Sequence, residues 1–388
     1  MRTVLFALRP FGAGCVYRDL SIARHLRHLF PAIEPIFAAA GSAKTLLEKE
    51  GVVPVVSALS AIVPRVEEND PRASGLAVVR RTRSMAPSHA REVVRASRLC
   101  SAELVVVDQI PSAPPQLSRS GIPCIYLTDD LHDGEEHSGT LRRLRAAWTR
   151  RAIVGSTALR FFIGDPSELS GPEMRVFARK HFRFTGAMSG LSWVRRRECA
   201  LLRDELPIGS KRLMTIYGGN GLSAGAFQSS LAAACQLLEE TQDLVVHAFA
   251  GDHLRIDLEN TPAGMTLHSS LEATLCRWFA ISDVCVIPAS KSALAECSGS
   301  RVPTLCLPRP ADPREERNAV YHRERHQVPA LFRDEQTPEA ILKALRELLS
   351  SQVARPKGPG FEEQQRSSES VADLIAEFLG RKRPTAKG

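Results

Sequence analysis

Apolar residues in this chain gather into short unbroken runs, each stopped by a turn residue and followed by a stretch in which apolar positions recur at helical spacing. Such runs read as strands buried on both faces. They fall at residues 3–8, 33–39, 52–56, 103–108 and 123–127, then in shorter form around 161–163 and 183–186. A second series occupies 212–217, 245–250, 264–267, 283–287 and 302–307. Helices are predicted between them: 16–29, with its stripe at Val16, Leu20, Ala23 and Leu26; 43–50, stopped by Gly51; 194–206; 224–239; 271–280; and one beyond Glu339. A further helix at 140–155 is predicted to turn Leu141, Leu144 and Trp148 inward and Arg142, Arg143, Arg145, Arg150 and Arg151 outward. A connector over 350–370 leads to a last helix at 371–379 and a frayed basic tail. Strand alternating with helix is the rhythm of parallel α/β sheets.

The pattern runs twice. Strand 3–8 enters the turn Arg9-Pro10-Phe11-Gly12-Ala13-Gly14-Cys15, and strand 212–217 enters Gly218-Gly219-Asn220-Gly221-Leu222-Ser223, each followed by a helix. Residues 186–190 form the expected hinge. Three segments follow from this: an amino-terminal Rossmann-like domain over 1–187, a carboxyl-terminal one over 188–366, and a terminal helix with tail over 367–388. A chain of 388 residues is comfortable for two such cores. The first glycine-rich turn is not a dinucleotide fingerprint, because Tyr17 stands where the third glycine is needed and the next strand ends in Phe37-Ala38-Ala39-Ala40-Gly41 without an acid.

Composition narrows the picture modestly. The chain is 44% hydrophobic and 24% charged, and no apolar run approaches the ~20 residues of a membrane span. Its first residues enter a strand rather than a signal peptide, so a cytoplasmic chain is expected. Nine cysteines, without C-x-x-C spacing and with Cys124, Cys285 and Cys306 in predicted core strands, read as buried thiols. A net charge of +8 favours anionic partners without choosing among them. Arg80, Arg81, Arg83, Arg91, Arg95 and Arg98 interleave with apolar residues within 57–101, as in basic amphipathic helices. These helices present either a solvated face or a surface that meets an anionic membrane or a phosphorylated acceptor. No aromatic residue lies between Phe37 and Tyr126, which argues against a nucleic-acid stacking platform.

Candidate chemistry collects where strands end. Run 104–107 ends in Asp108, and run 123–127 leads into Thr128-Asp129-Asp130-Leu131-His132-Asp133. The carboxylates and histidines there match no compact ligand spacing, so no metal is expected and hydroxyl binding suits the loop equally well. In the second half, run 283–287 stops at Pro288 and gives way to Ala289-Ser290-Lys291-Ser292, then to a helical segment carrying Glu296 and closed by Gly299. A second apolar run and the polar stretch from Asp312 to Ala319 follow. Helix amino ends beyond parallel strands present free N–H groups to anions, and a carboxylate one turn inside can grip a vicinal diol.

These residues resemble the GT-B glycosyltransferases, in particular the branch containing the N-acetylglucosaminyltransferase of lipid II synthesis and related bacterial sugar transferases. The resemblance is carried by Gly12-Ala13-Gly14-Cys15-Val16-Tyr17-Arg18-Asp19, similar to a "G-x-G-H-x-x-R" opening, by Val105-Val106-Val107-Asp108 and by Phe184-Thr185-Gly186. Gly218-Gly219, Glu296 with Gly299 and Pro303, and Asn318-Ala319 complete it. It implies two Rossmann-like domains facing across a cleft, with a nucleotide-diphosphate sugar, expected to be a uridine one, in the second and an acceptor in the first. The implied reaction moves a hexose to a hydroxyl without a metal or cofactor, the nucleotide sugar being a substrate and the acceptor a small molecule, glycan or lipid-linked molecule. Diphosphate contacts are implied for Gly218, Gly219, Gly221, Ser290 and Ser292, a ribose contact for Glu296, and donor contacts for His268, Arg314, Glu315 and Asn318. Gly12, Gly14, Asp129, Asp130 and His132 lie on the acceptor-side loops. Where the family places a histidine base, this chain has Cys15, a poor substitute near neutral pH. Asp19, Asp108, Asp129, Asp130 and His132 are the alternative bases, with Asp108 preferred. Two rival readings remain open: hydrolysis of the nucleotide sugar, and a catalytically silent nucleotide-sugar-binding partner subunit. A lipid-linked acceptor would place the chain peripherally at the inner membrane face.

Overall fold

Two parallel sheets result from these patterns in a computed structural model of the chain. The structure describes residues 1–10, 13–54, 76–131, 140–194, 196–219, 222–250, 262–269, 275–310, 312–350, 356 and 358–381. By contact the chain divides into one unit of Met1–Met188 with Gln365–Gly388 and another of Ser189–Gln364.

In the first unit the strands are β1 (Arg2–Leu8), β2 (Ile33–Ala38), β3 (Leu104–Asp108), β4 (Cys124–Thr128), β5 (Leu159–Phe162) and β6 (Arg183–Phe184). They lie in the order β2-β1-β3-β4-β5-β6, each pair parallel. β3 and β4 are buried along their whole length, as a sheet covered on both faces requires. The helices are α1 (Ala13–Leu29), α2 (Gly41–Lys49), α3 (Leu76–Leu99), α4 (Ala113–Arg119), α5 (Thr140–Ser156) and α6 (Pro172–His181). Because the sheet is parallel, Leu8, Asp108 and Thr128 end neighbouring strands on one edge, with Leu8 paired to Asp108 and Asp108 to Leu127.

The second unit begins with α7 (Arg196–Glu205) and repeats the plan with β7 (Arg212–Tyr217), α8 (Ala224–Glu240), β8 (Leu244–Ala250) and β9 (Met265–Ser269). Then come α9 (Leu275–Ile281), β10 (Val284–Pro288), α10 (Lys291–Ser300), β11 (Thr304–Leu307), α11 (Pro313–His326) and α12 (Pro338–Leu349). Its sheet order is β11-β10-β7-β8-β9, again parallel throughout. The last helix, α13 (Phe361–Arg381), contains the point at which the contact units divide.

Four local expectations need correcting. The strand expected at 52–56 does not form over its described part; instead the Val52 N–H caps α2 by donating to the Leu47 carbonyl, and residues 55–56 lie outside the described residues. Between β3 and β4, where the sequence pattern predicts no helix, stands α4, whose prolines sit at the helix start, where no N–H is needed. α13 begins ten residues earlier than the predicted 371, because its buried stripe includes the polar Gln364, Ser367 and Ser368, which hide the apolar period. Finally, α5 buries Ala146 and Ile153 while Leu144 and Trp148 face outward; the side chain of Leu141 lies outside the described residues.

Candidate functional site

At the strand-end edge of the first unit, α1 sets Cys15, Arg18 and Asp19 three and four positions apart, so that they share one face of the helix toward β3. All three are buried, as is Asp108 at the end of β3. Arg18 clamps Asp108: its Nη2 donates to Oδ1 and Oδ2 at 2.8 and 2.6 Å, and its Nε to Oδ2 at 3.2 Å. Arg18 Nη1 also lies 3.7 Å from Asp129 Oδ2, and Asp129 is the half-buried member of the group. Asp19 stands beside this pair with both carboxyl oxygens buried and unbonded. Burial first, then the charge of Asp108, pushes Asp19 well above the usual carboxylate range. Burial pushes Asp108 up as well, and the Arg18 guanidinium opposes that. Both carboxyls are thus displaced upward by burial, against the opposition of the one Arg18 guanidinium.

Cys15 reaches no thiolate in this setting: burial, the leading cause, pushes its pKa to about 12. That removes it as a nucleophile or base near neutral pH. Asp108, preferred as the base from sequence, has both oxygens occupied by the Arg18 guanidinium, so a substrate proton would have to displace that clamp to reach it. Gly14 lies in the first turn of α1, and Asp130 follows Asp129, with Thr128 Oγ1 donating to the Asp130 carbonyl at 2.7 Å. Gly12 and His132 lie outside the described residues. Arg18 carried no role in the sequence reading. Its signal was a lone cation on a buried helical face, opposite an apolar strand ending in aspartate.

At the corresponding edge of the second unit the chemistry is different. β7 ends in Gly218 and Gly219, both buried; Gly221 lies outside the described residues. Gly219 adopts φ +48°, and a Cβ there would collide with the Tyr217 ring, so both conformation and space require glycine. The neighbouring strand β10 leads to Ser290, the N-cap of α10, whose side chain makes no capping bond, and to the half-buried Ser292. Asn318 of α11 donates from Nδ2 to the Ala289 carbonyl at 2.9 Å and so fixes the turn before α10. Glu315 accepts the Arg309 N–H at 2.8 Å, tying the β11–α11 turn, and Arg314 precedes it, half-buried. α10 thus offers a helix amino end close in the sheet to a glycine turn, an arrangement suited to phosphate oxygens.

Glu296 sits inside the second unit, one turn into α10, and accepts the Gly190 N–H at 2.9 Å. The fit is close, because a Cβ at Gly190 would lie 2.8 Å from the Glu296 Oε1. Oε2 has no hydrogen bond among the described residues. Burial, only partly opposed by the Gly190 amide, pushes Glu296 up to about 7. Glu315 rises to about 7 for the same leading cause. His268, at the end of β9, is engaged by His247 of β8: Nδ1 of His247 and Nε2 of His268 are 2.9 Å apart, and their rings stack beside Phe249 and Trp278. Burial and then His268 push His247 down to about 4, so the His247 ring is neutral at pH 7. Among the described residues no three His, Cys, Asp or Glu side chains gather as a metal set.

Neither protein-family models nor curated protein sequences give a match to this chain. Solved structures do, over its full length. The calicheamicin glycosyltransferase CalG4 shares 16% identity at a TM-score of 0.60, covering 99% of this chain and 100% of its own. A Listeria monocytogenes protein described as a UDP-N-acetylglucosamine 2-epimerase shares 12% at 0.62, covering 99% and 98%. Acinetobacter baumannii MurG shares 14% at 0.53, covering 97% and 100%. The chain has the GT-B fold.

Proposed function

We propose that the protein is a metal-independent glycosyltransferase that moves a hexose from a uridine diphosphate sugar to an acceptor hydroxyl, with the second unit holding the donor and the first the acceptor. The observation that carries this reading is the pairing, on adjacent strands β7 and β10, of the Gly218–Gly219 turn with the amino end of α10. Amide dipoles and N–H groups there stabilise the diphosphate as its bond to the sugar breaks. Ser290 and Ser292 lie at the same helix start, and Asn318 holds the turn in place. The free oxygen of Glu296, on a carboxyl poised near pH 7, can accept from or donate to a ribose hydroxyl. On the acceptor side, Asp129 is the better base, because Arg18 clamps Asp108 on both oxygens and approaches Asp129 only at 3.7 Å. The fold neighbours whose names include glycosyl transfer or a UDP sugar support the substrate class.

Calorimetric titration with UDP, dTDP, GDP and CDP tests the donor half: UDP binds most tightly, and no binding by any of them overturns the reading. A second reading, a silent nucleotide-sugar-binding subunit, is favoured by the inert Cys15 and by the clamp on both oxygens of Asp108. Transfer gives nucleotide release that rises with acceptor, hydrolysis gives release in water alone, and the silent subunit binds without turnover. A lipid-linked acceptor would bring the chain to a membrane face.

A further inference from the structure

The positive charge of this protein is concentrated in one layer of helices. α3, α4 and α5 together contain twelve arginines and one acidic residue, Glu92. The whole chain has an excess of only eight positive charges, so everything outside these helices is net acidic. α3 leads into β3, α4 joins β3 to β4 and α5 joins β4 to β5; α3 packs on α4 and α4 on α5, forming a continuous layer.

Between α3 and α4 runs an open groove of about 570 Å³, lined by Arg91, Arg95, Arg98 and Arg119 with Leu99 and Gln116. Arg95 has Glu92 only at 3.9 Å, and Arg91, Arg98 and Arg119 have no carboxylate partner among the described residues. Converging guanidinium groups without counter-charge repel one another and favour an anion in the groove. On the same layer Leu99 is 66% exposed, and Leu144 and Trp148, one turn apart on α5, are 56% and 74% exposed. Large apolar side chains set among arginines combine what a bilayer surface rewards: an indole at headgroup depth and guanidinium groups on lipid phosphates.

We propose that the outer face of the α3–α4–α5 layer docks on an anionic lipid bilayer. A single-stranded nucleic acid fits less well, because no aromatic ring lines the groove to stack its bases. A second copy meeting this face on itself would set arginine against arginine. No described helix is long and apolar enough to cross a membrane, so docking is peripheral. The proposal extends the lipid-linked version of the acceptor reading above, and its test requires no turnover.

The experiment is co-sedimentation of the full chain with phosphatidylcholine vesicles, with and without phosphatidylglycerol, read together with tryptophan emission. Of the three tryptophans, Trp148 is exposed, Trp278 buried and Trp193 half-buried, so a shift on binding reports chiefly Trp148. Docking predicts binding only to the phosphatidylglycerol vesicles, with a blue shift that Trp148→Phe abolishes. The triple variant Arg95→Glu, Arg98→Glu and Arg119→Glu, all at exposed positions, should weaken vesicle binding by at least about tenfold while leaving the melting temperature and UDP titration unchanged. Equal binding to both vesicle types, binding without the Trp148 shift, or tighter binding to RNA than to vesicles overturns the proposal. Failure of UDP to bind while vesicle docking persists would sink the sugar-transfer reading alone.

Discussion

Both sheets carry buried carboxyls near the ends of their strands, and the two units treat them oppositely. In the first, Asp108 receives a guanidinium on both oxygens, while its neighbour Asp19 has both oxygens buried without a hydrogen bond and is pushed well above the usual carboxylate range by burial. In the second, Glu296 and Glu315 each receive one backbone N–H and no bidentate guanidinium, Glu315 having Arg309 and Arg314 only nearby, and burial pushes both to about 7. A single amide offsets only part of the cost of burying a carboxylate; a bidentate arginine offsets more of it. The first edge is thus built around a clamped ion pair, with Asp129 at its half-buried margin. The second is a set of carboxyls that exchange protons near neutral pH beside a helix amino end suited to phosphate.

The largest effect should come from breaking the clamp. Arg18→Met leaves Asp108 buried and unpaired, and should cost about 3–5 kcal/mol of unfolding free energy in denaturant titration. Adding Asp108→Leu should restore most of that loss, because an apolar pair replaces the ion pair without leaving a stranded charge. A single variant as stable as the parent would show that Asp108 does not depend on the clamp for its place in the core.

A middle-sized effect belongs to Glu296. Its folded pKa of about 7 lies above the ordinary value of 4.5, so its contribution to stability is complete below about pH 4.5 and is lost as pH rises through 7. Between those limits the parent should lose roughly 2–3 kcal/mol that Glu296→Gln does not lose, read as the difference between their denaturation profiles. His247, whose depressed pKa makes stability fall on the acid side instead, is common to both chains and cancels in that difference. Parallel profiles would mean that Glu296 is not held protonated by burial.

The smallest effect is at Asn318. Removing its bond to the Ala289 carbonyl with Asn318→Ala should loosen the turn before α10 and weaken nucleoside diphosphate binding about fivefold, for roughly 1 kcal/mol. Unchanged affinity in calorimetry would detach that turn from the donor site.

Much of the fold was legible because parallel strands buried on both faces are written as unbroken apolar runs. The stripe of Val16, Leu20, Ala23 and Leu26 likewise marks the buried side of α1. The failures share a cause. Trp148 and Leu144 look like core residues to any periodic rule, yet α5 buries Ala146 and Ile153. α13 hides its inner face behind the buried polar residues Gln364, Ser367 and Ser368, and Gln364 donates to the Ala295 carbonyl at 2.9 Å, a partner far along the chain.

What the sequence determined alone is the alternation of strand and helix, the doubling of that plan, and the presence of glycines and carboxyls where strands end, because each depends on local pattern. Which carboxyl is clamped, which are pushed up by burial and which arginines stand without a carboxylate were decided by tertiary structure. A side chain's charge state depends on burial and on partners far along the chain: Asp108 meets Arg18 across ninety positions, and Glu296 meets Gly190 across more than a hundred.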